Sequence, residues 1–326
     1  MKTAAFPRLV GDIAGTHARF AMVLDAEQGV QDVALYQADR FESLWAALQC
    51  YLAECASAVP RSCAIGIATP VVGDQVRMID HHWSFSIRDL QRNLGVERLL
   101  VLNDFAALAL ALPVLSAAER RQIGTGQAVA GTPVALIGAG TGLGVAGLMP
   151  SPDGSGHWPI SGEGGHVSLQ SHDPEEMEVL SVLRRRFGHV SAERALSNAG
   201  LVNLHQALCA LHGRPTPSLD LAAIIQAGLT GRDLLCEQVL TLFCGLLGQV
   251  TGNLALTYGA RGGVYIGGGI VPRLGSWFDR SPFRSRFEAK GRFAGYMREV
   301  PTWVVQAGTS PALLGACRAL DLSHLN

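Results

Sequence analysis

Three glycine-rich turns, each closing a strand-like run, constrain this chain more than any other feature: GDIAGTHAR at 11–19, GAGTGLG at 138–144 and GGGIV at 267–271. Two of them join extended runs, and the third leads from an extended run into a helical one. Glycine lets backbone N–H groups approach an anion closely and takes positive φ without a Cβ penalty. One such loop alone is as readily a plain tight turn. Three strand-linked loops together predict a fold that cups a nucleotide's phosphates and holds its adenosine end. With 38 glycines and only 6% aromatic residues, the chain is suited to tight backbone turns rather than to stacking platforms.

Two other nucleotide-binding designs fail on the residues. A Walker loop needs G-x-x-x-x-G-K-[ST], and no glycine loop here carries the lysine. Gly142, Gly144 and Gly147 fit the dinucleotide spacing G-x-G-x-x-G, but that fingerprint must open a helix. The residues that follow, VAGLMPS, read as extended. If ATP binds, it binds by backbone hairpins and a metal.

Between the loops, Arg8 to Ile13 and Ala18 to Leu24 read as a β-hairpin about Gly15-Thr16. Phe41 to Ala56 has helical spacing, with Leu44, Leu48, Leu52 and Cys55 on one face. Ser62 to Ala68 and Leu99 to Leu102 read as strands, and Phe105 to Leu112 as a helix stopped by Pro113. Ser116 to Thr132 is a polar crossover. Val134 to Ile137 and Val145 to Met149 are extended, and Ser151 to Gly165 is a loop rich in Gly, Pro and Ser. Helices dominate from Pro174, including a long one near Asp233 to Tyr258. A strand at Gly263 to Ile266 and a strand–helix pair over Thr302 to Leu320 complete the chain. Strand-rich then helix-rich stretches, twice over, predict an α/β protein with a cleft between two lobes.

Lys plus Arg number 26 and Asp plus Glu 27, a net charge of −1, so no electrostatic footprint exists for nucleic acid or an anionic membrane. Hydrophobic residues at 48% against 16% charged exclude disorder. The N-terminus has no signal-peptide core. Leu99–Leu115 and Leu240–Leu256 are interrupted by Asn103, Asp104 and Pro113, and by Gln249 and Asn253. Neither offers the ~20 clean apolar residues of a span, so both read as buried elements. Seven scattered cysteines with no C-x-x-C pair read as reduced, mostly buried thiols in a cytoplasmic protein.

The carboxylates carry the candidate chemistry. Asp104 follows a buried strand and precedes a helix, where a carboxylate is often an N-cap. Asn103 beside it adds an amide at the carboxyl end of a strand, where clefts open. Glu163 and His166 share the loop SGEGGH, where packing needs neither, so they suit polyol binding. Glu193 in SAERALS reads equally as a helix-start acid favoured by the dipole. No metal cage emerges: His166 and His172 lack a helical register, and Cys50 with Cys55 has no second pair. Arg184, Arg185 and Arg186 read as a solvated helix face.

The set GDIAGTHAR, LNDF, GAGTGLGVA, EGGHVSL, SAERALS, GNLAL and YIGGGIVPR, in this order, resembles the bacterial glucokinase family within the actin-like sugar-kinase superfamily. The resemblance runs from residue 9 to about 318. It implies a two-domain actin-like ATPase (ribonuclease H-like) fold with a cleft between a small domain (1–114 plus 307–326) and a larger one (115–306). It implies an ATP-dependent phosphotransferase acting on glucose. Asp104 resembles the general base, and Asn103, Glu163, His166 and Glu193 the set for the other hydroxyls. Asp12 resembles the carboxylate that positions Mg2+ through water. Gly11, Asp12, Ile13, Ala14, Gly15 and Thr16 with Gly140, Thr141 and Gly142 resemble the phosphate loops, and Gly268 and Gly269 the adenosine side. A homodimer is the family's common habit.

The chain departs from the family pattern in three places. Ala14 and His17 stand where the family usually has Gly and Asn, and Asn198-Ala199 where it usually has Gly-Pro. If position 14 needs positive φ, Ala14 costs on the order of 1 kcal/mol. A sugar-responsive repressor or a zinc-containing relative is disfavoured: no cysteine follows His166 in VSLQSHDPEEMEV, and no helix-turn-helix precedes residue 9. The alternatives that stay open are a catalytically weak glucose sensor, another hexose such as mannose, fructose or glucosamine, and ADP or polyphosphate as donor.

Overall fold

The computed structural model describes residues 5–79, 81–152, 154, 156–215, 218–306, 308, 310–322 and 325. The strands in chain order are β1 (Arg8–Ile13), β2 (His17–Val23), β3 (Gln31–Gln37), β4 (Ser62–Ile67), β5 (Gln75–Arg77), β6 (Ser84–Ser86), β7 (Arg98–Asn103), β8 (Arg120–Ile123), β9 (Val134–Ala139), β10 (Leu143–Pro150), β11 (His157–Gly162), β12 (Val264–Gly267) and β13 (Thr302–Val305). The chain forms two compact units. One comprises Met1–Ser116, Pro150–Ser161 and Ala307–Asn326, the other Ala117–Met149 and Gly162–Gln306.

In the first unit the sheet order is β3-β2-β1-β4-β7, with β1, β4 and β7 parallel and β1–β2–β3 antiparallel. The register pairs Ile13 with Ile67 and Ile67 with Asn103, so all three parallel strands end at one edge. Alternation along β1 sends Leu9 and Ile13 into a core shared with Phe20, Met22, Leu44, Leu48 and Tyr51. The opposite face is covered by the helices Asp104–Ala111 and Pro311–Ala319, which lie very close together. A Cβ on Gly315 would fall 1.7 Å from the carbonyl oxygen of Ala107. The C-terminal segment is tied in by the buried Arg8, whose guanidinium donates to the Cys317 carbonyl (3.2 Å) and to Asp321 (2.6 Å).

In the second unit the strands run in the order β10-β9-β12-β13-β8, with β9, β12 and β13 parallel. Apolar faces of the helices Pro174–Phe187, Asn198–Leu211, Leu221–Leu229 and Leu234–Tyr258 fill its core. The last of these is long and apolar enough to cross a membrane, and most of that run is buried in this unit. All seven cysteines are free thiols, five buried and two half-buried.

The structure departs from the sequence reading at several elements. Asp104 is itself the first helical residue, so the helix starts one residue before Phe105. A strand, β8, crosses the segment read as a polar crossover, and β11 crosses the loop Ser151–Gly165. Both are mostly half-buried or exposed and carry little apolar alternation to read. The strands β3, β5 and β6 and the helix Ile87–Leu94 were also missed.

Candidate active site

The first unit places one group of candidate residues along the shared edge of β1, β4 and β7. Asp12 lies on the face of β1 that the helix Pro311–Ala319 covers, and the residue capping that helix, Ser310, donates its hydroxyl to Asp12 Oδ2 at 2.7 Å. Arg19, its register partner on β2, approaches the same oxygen at 3.4 Å. Burial pushes the Asp12 carboxyl above the ordinary range, opposed by the Ser310 hydrogen bond and the Arg19 charge. Sequence reasoning missed both neighbours. Ser310 before Pro311 signals a helix start, but nothing in the sequence brings it to a residue 298 positions away.

Asn103 and Asp104 close β7. Asn103 is the N-cap: its Oδ1 accepts from the N–H groups of Phe105 (3.0 Å) and Ala106 (3.2 Å). The capping duty suspected of Asp104 therefore falls on its neighbour, and the Asn103 amide N–H2 is what that side chain presents to a ligand. Asp104 sits at the positive end of the helix dipole, where Oδ1 accepts from Phe105 N–H at 2.9 Å.

The first glycine loop is a tight connection in which Ala14 N–H donates to the His17 carbonyl at 2.9 Å. Among the described residues only Asp32 is a non-glycine with positive φ. Ala14 thus carries none of the strain its Cβ would bring in a left-handed conformation.

In the second unit the other two glycine loops lie side by side, because β9 and β12 are parallel neighbours with Gly138 opposite Gly267. Gly268 has φ of 80°, and a Cβ there would lie 2.3 Å from the Ala139 carbonyl oxygen. A Cβ on Gly140 would come within 3.9 Å of Gly269 N. The helix Asn198–Leu211 points its N-terminus at this pair, with Asn198 N–H donating to the Gly140 carbonyl at 2.7 Å. Backbone N–H groups and a helix N-terminus together favour an anion. Gly142, Gly144 and Gly147 open or lie in β10, not a helix, which removes the dinucleotide reading.

Glu193 joins the same hairpin. Its Oε2 accepts from Leu143 N–H at 2.9 Å, and a Cβ on Gly142 would lie 2.5 Å from that oxygen. Glu193 lies in a short 3-10 turn ahead of the helix. Its carboxylate therefore anchors the glycine hairpin. Glu163 and His166 flank another 3-10 turn, both exposed, with Oε2 and Nε2 3.9 Å apart. The two glycines between them are forced by contact with β10: a Cβ on Gly165 would meet the Leu143 carbonyl oxygen at 2.1 Å, and one on Gly164 would meet Val145 at 2.9 Å.

Elsewhere, Asp39, His81 and His82 bring three possible metal ligands within 4.8 Å of one another, a grouping absent from the sequence reading. His81 Nδ1 accepts from Trp83 N–H (3.4 Å), which leaves the proton on Nε2, 3.1 Å from Asp39 Oδ1. Both ring nitrogens are thereby used within the protein.

Comparison with known proteins finds relatives along nearly the whole chain. The glucokinase family profile covers residues 9–323. A glucokinase from Aromatoleum aromaticum is 54% identical over 317 residues, covering 97% of this chain and 95% of the relative. The crystal structure of a glucokinase from an Antarctic psychrotroph superposes with a TM-score of 0.86 at 35% identity, over 97% of this chain and 99% of that one. A ROK family glucokinase from Streptomyces griseus, solved in complex with glucose and AMPPNP, shares the fold at 18% identity and a TM-score of 0.65, over 96% of this chain and 98% of that one. The superposition and the relatives define an enzyme of the actin-like ATPase fold, an ATP-dependent sugar kinase. Within that class the chain belongs to the glucokinase family.

Proposed function

We propose that this chain transfers the γ-phosphoryl group of ATP to the 6-hydroxyl of glucose, with Asp104 as general base. One observation carries the reading. Asn103 takes over the helix cap, so Asp104 stands as a carboxylate at the strand edge it shares with Asp12, in a chain 54% identical to a glucokinase. Asp104 accepts the proton of the attacking hydroxyl as it moves in line with the γ-phosphate. Phosphoryl transfer needs little else from the protein beyond positioning and charge stabilisation. Asn103, Glu163, His166 and Glu193 engage the remaining hydroxyls. Pairing each hydroxyl with a fixed donor or acceptor penalises an epimer, which leaves a polar group unsatisfied.

The loops 14–16 and 140–142 receive the phosphates through the backbone N–H groups of Gly15, Thr16, Thr141 and Gly142, those of Ala14 and Gly140 being held within their own turns. Gly268 and Gly269 let the adenosine side approach the backbone. Mg2+ fits the residues present. It binds through one or two carboxylates with waters and substrate phosphates. Asp12 offers one carboxylate held through Oδ2 by Ser310 and Arg19, and its Oδ1 would serve the ion through water. When bound, the ion neutralises charge on the transferring phosphates.

The test is a coupled assay for glucose 6-phosphate with Mg-ATP over a hexose panel, alongside calorimetry with glucose. Asp104→Ala should lower kcat by at least ~10² while glucose still binds. Unchanged kcat in that variant removes Asp104 from the mechanism. Glucose binding by the native chain without turnover would favour a sensor.

A further inference from the structure

The first glycine loop carries a side-chain relay that the family pattern, with Asn at its last position, does not supply. Three residues of the first unit form it: Thr16 in the loop, His17 at the start of β2, and Gln37 at the end of β3. His17 and Gln37 are register partners across the two antiparallel strands, which brings their side chains face to face. Gln37 Nε2 lies 2.9 Å from His17 Nε2, and His17 Nδ1 lies 2.7 Å from Thr16 Oγ1. Ala38 N–H donates to the Thr16 carbonyl at 3.0 Å, so the backbone on both sides is pinned as well.

The proton positions follow from donor and acceptor chemistry. An amide nitrogen only donates, so the Gln37 contact makes His17 Nε2 an acceptor. A neutral imidazole then carries its proton on Nδ1 and donates it to Thr16 Oγ1. The hydroxyl accepts that bond, and its own proton is left to donate elsewhere. Thr16 is exposed, so that proton is open to a ligand of the loop.

We propose that His17, held in its Nδ1–H tautomer by Gln37, is a positioning residue that turns the Thr16 hydroxyl into a hydrogen-bond donor to a phosphoryl oxygen of the nucleotide. The inference rests on the reading that loop 14–16 binds phosphate. It assigns a role to Gln37, and it makes His17 a working substitute for the family's usual amide.

The decisive variant is Gln37→Glu. A carboxylate only accepts, so in the neutral ring, the form selected by pH and checked by the 15N imidazole shifts, it pulls the proton to Nε2. Nδ1 then accepts the Thr16 proton, and the hydroxyl can no longer donate to phosphate. Every atom of His17 and Thr16 is still in place. AMPPNP and glucose affinities are measured by calorimetry on the full chain for native, Gln37→Glu, Thr16→Ala and the double variant, with 15N imidazole shifts reporting the tautomer. Loss of a hydrogen bond to a charged group predicts AMPPNP affinity about tenfold weaker in Gln37→Glu, unchanged glucose affinity, and a tautomer switch at His17. In the Thr16→Ala background Gln37→Glu should add little, because the hydroxyl it acts through is gone.

An equal loss in both backgrounds overturns the relay, since the added charge alone would then explain it. Weakened AMPPNP binding in Thr16→Ala with none in Gln37→Glu also overturns it, while leaving the phosphate-loop reading standing. No change in Thr16→Ala overturns the relay, while the backbone N–H groups of the loop, which alanine keeps, leave the phosphate-loop reading standing.

Discussion

Substituting Gly142 by Ala tests whether Glu193 and the second glycine loop act as one unit. The added Cβ would lie 2.5 Å from Glu193 Oε2, where ordinary contact begins at 3.4 Å, so the carboxylate must retreat by about 0.9 Å. That motion lifts Oε2 off Leu143 N–H, now at 2.9 Å. Gly142 is not among the positive-φ glycines, so alanine introduces no backbone strain to confuse the result. A hydrogen bond to a charged acceptor is worth about 1.5–3 kcal/mol, which corresponds to a loss of roughly 10- to 100-fold in kcat/KM for glucose. The assay is steady-state kinetics in a double-mutant cycle with Glu193→Ala. Once the carboxylate is gone, Gly142→Ala should change kcat/KM by less than about twofold. The same loss in both backgrounds would refute the reasoning, because the effect would then arise in the loop itself.

Asp12→Asn should abolish turnover yet stabilise the fold at neutral pH. A raised carboxyl pKa means that the folded state binds the proton more tightly than the unfolded state, so stability falls as pH rises from the ordinary carboxylate value through the raised one. The Tm advantage of the variant should therefore be small near pH 4 and level off once Asp12 is fully ionised. An advantage that shrinks with rising pH would contradict this. Gly315→Ala should destabilise by about 1–3 kcal/mol or more, because its Cβ would overlap the Ala107 carbonyl at 1.7 Å; thermal denaturation checks it. Cys63 and Cys244 are fully buried, and burial pushes the Cys244 thiol up to about 12, so neither should react with a thiol reagent until the protein unfolds.

What was legible in the sequence was what leaves a local trace. Strand–glycine junctions at residues 11–19, 138–144 and 267–271 are short-range patterns, and the structure has strand ends at each. The long helix Leu234–Tyr258 was legible for the same reason, from its apolar run. The edge strands β3, β8 and β11 were not, because a strand held by neighbours on one side and half open to solvent needs no apolar alternation. The pair Asn103-Asp104 was legible as a strand-to-helix junction, but the division of labour within it was not. Either residue can cap, and only the folded structure shows that the amide oxygen of Asn103 does.

The contacts that assemble the candidate site are harder still, for they join residues whose sequence neighbourhoods carry no mark of each other. Ser310 reaches Asp12 only because Pro311–Ala319 packs on the face of β1 to which alternation sends Asp12. Glycines are an exception that sequence can partly exploit. Gly142 and Gly165 are required by what stands against them, the Glu193 carboxylate and the Leu143 carbonyl. A glycine with ordinary φ against a distant carboxylate or carbonyl records a long-range contact in a single letter. The same logic runs in reverse at position 14. An alanine there suggested strain, but its backbone is ordinary, so the family's usual glycine at that place is not demanded by φ in this chain. What distinguishes the loop here is the next change along: His17, whose partner Gln37 lies a full strand away and could be found only through the register of β2 and β3.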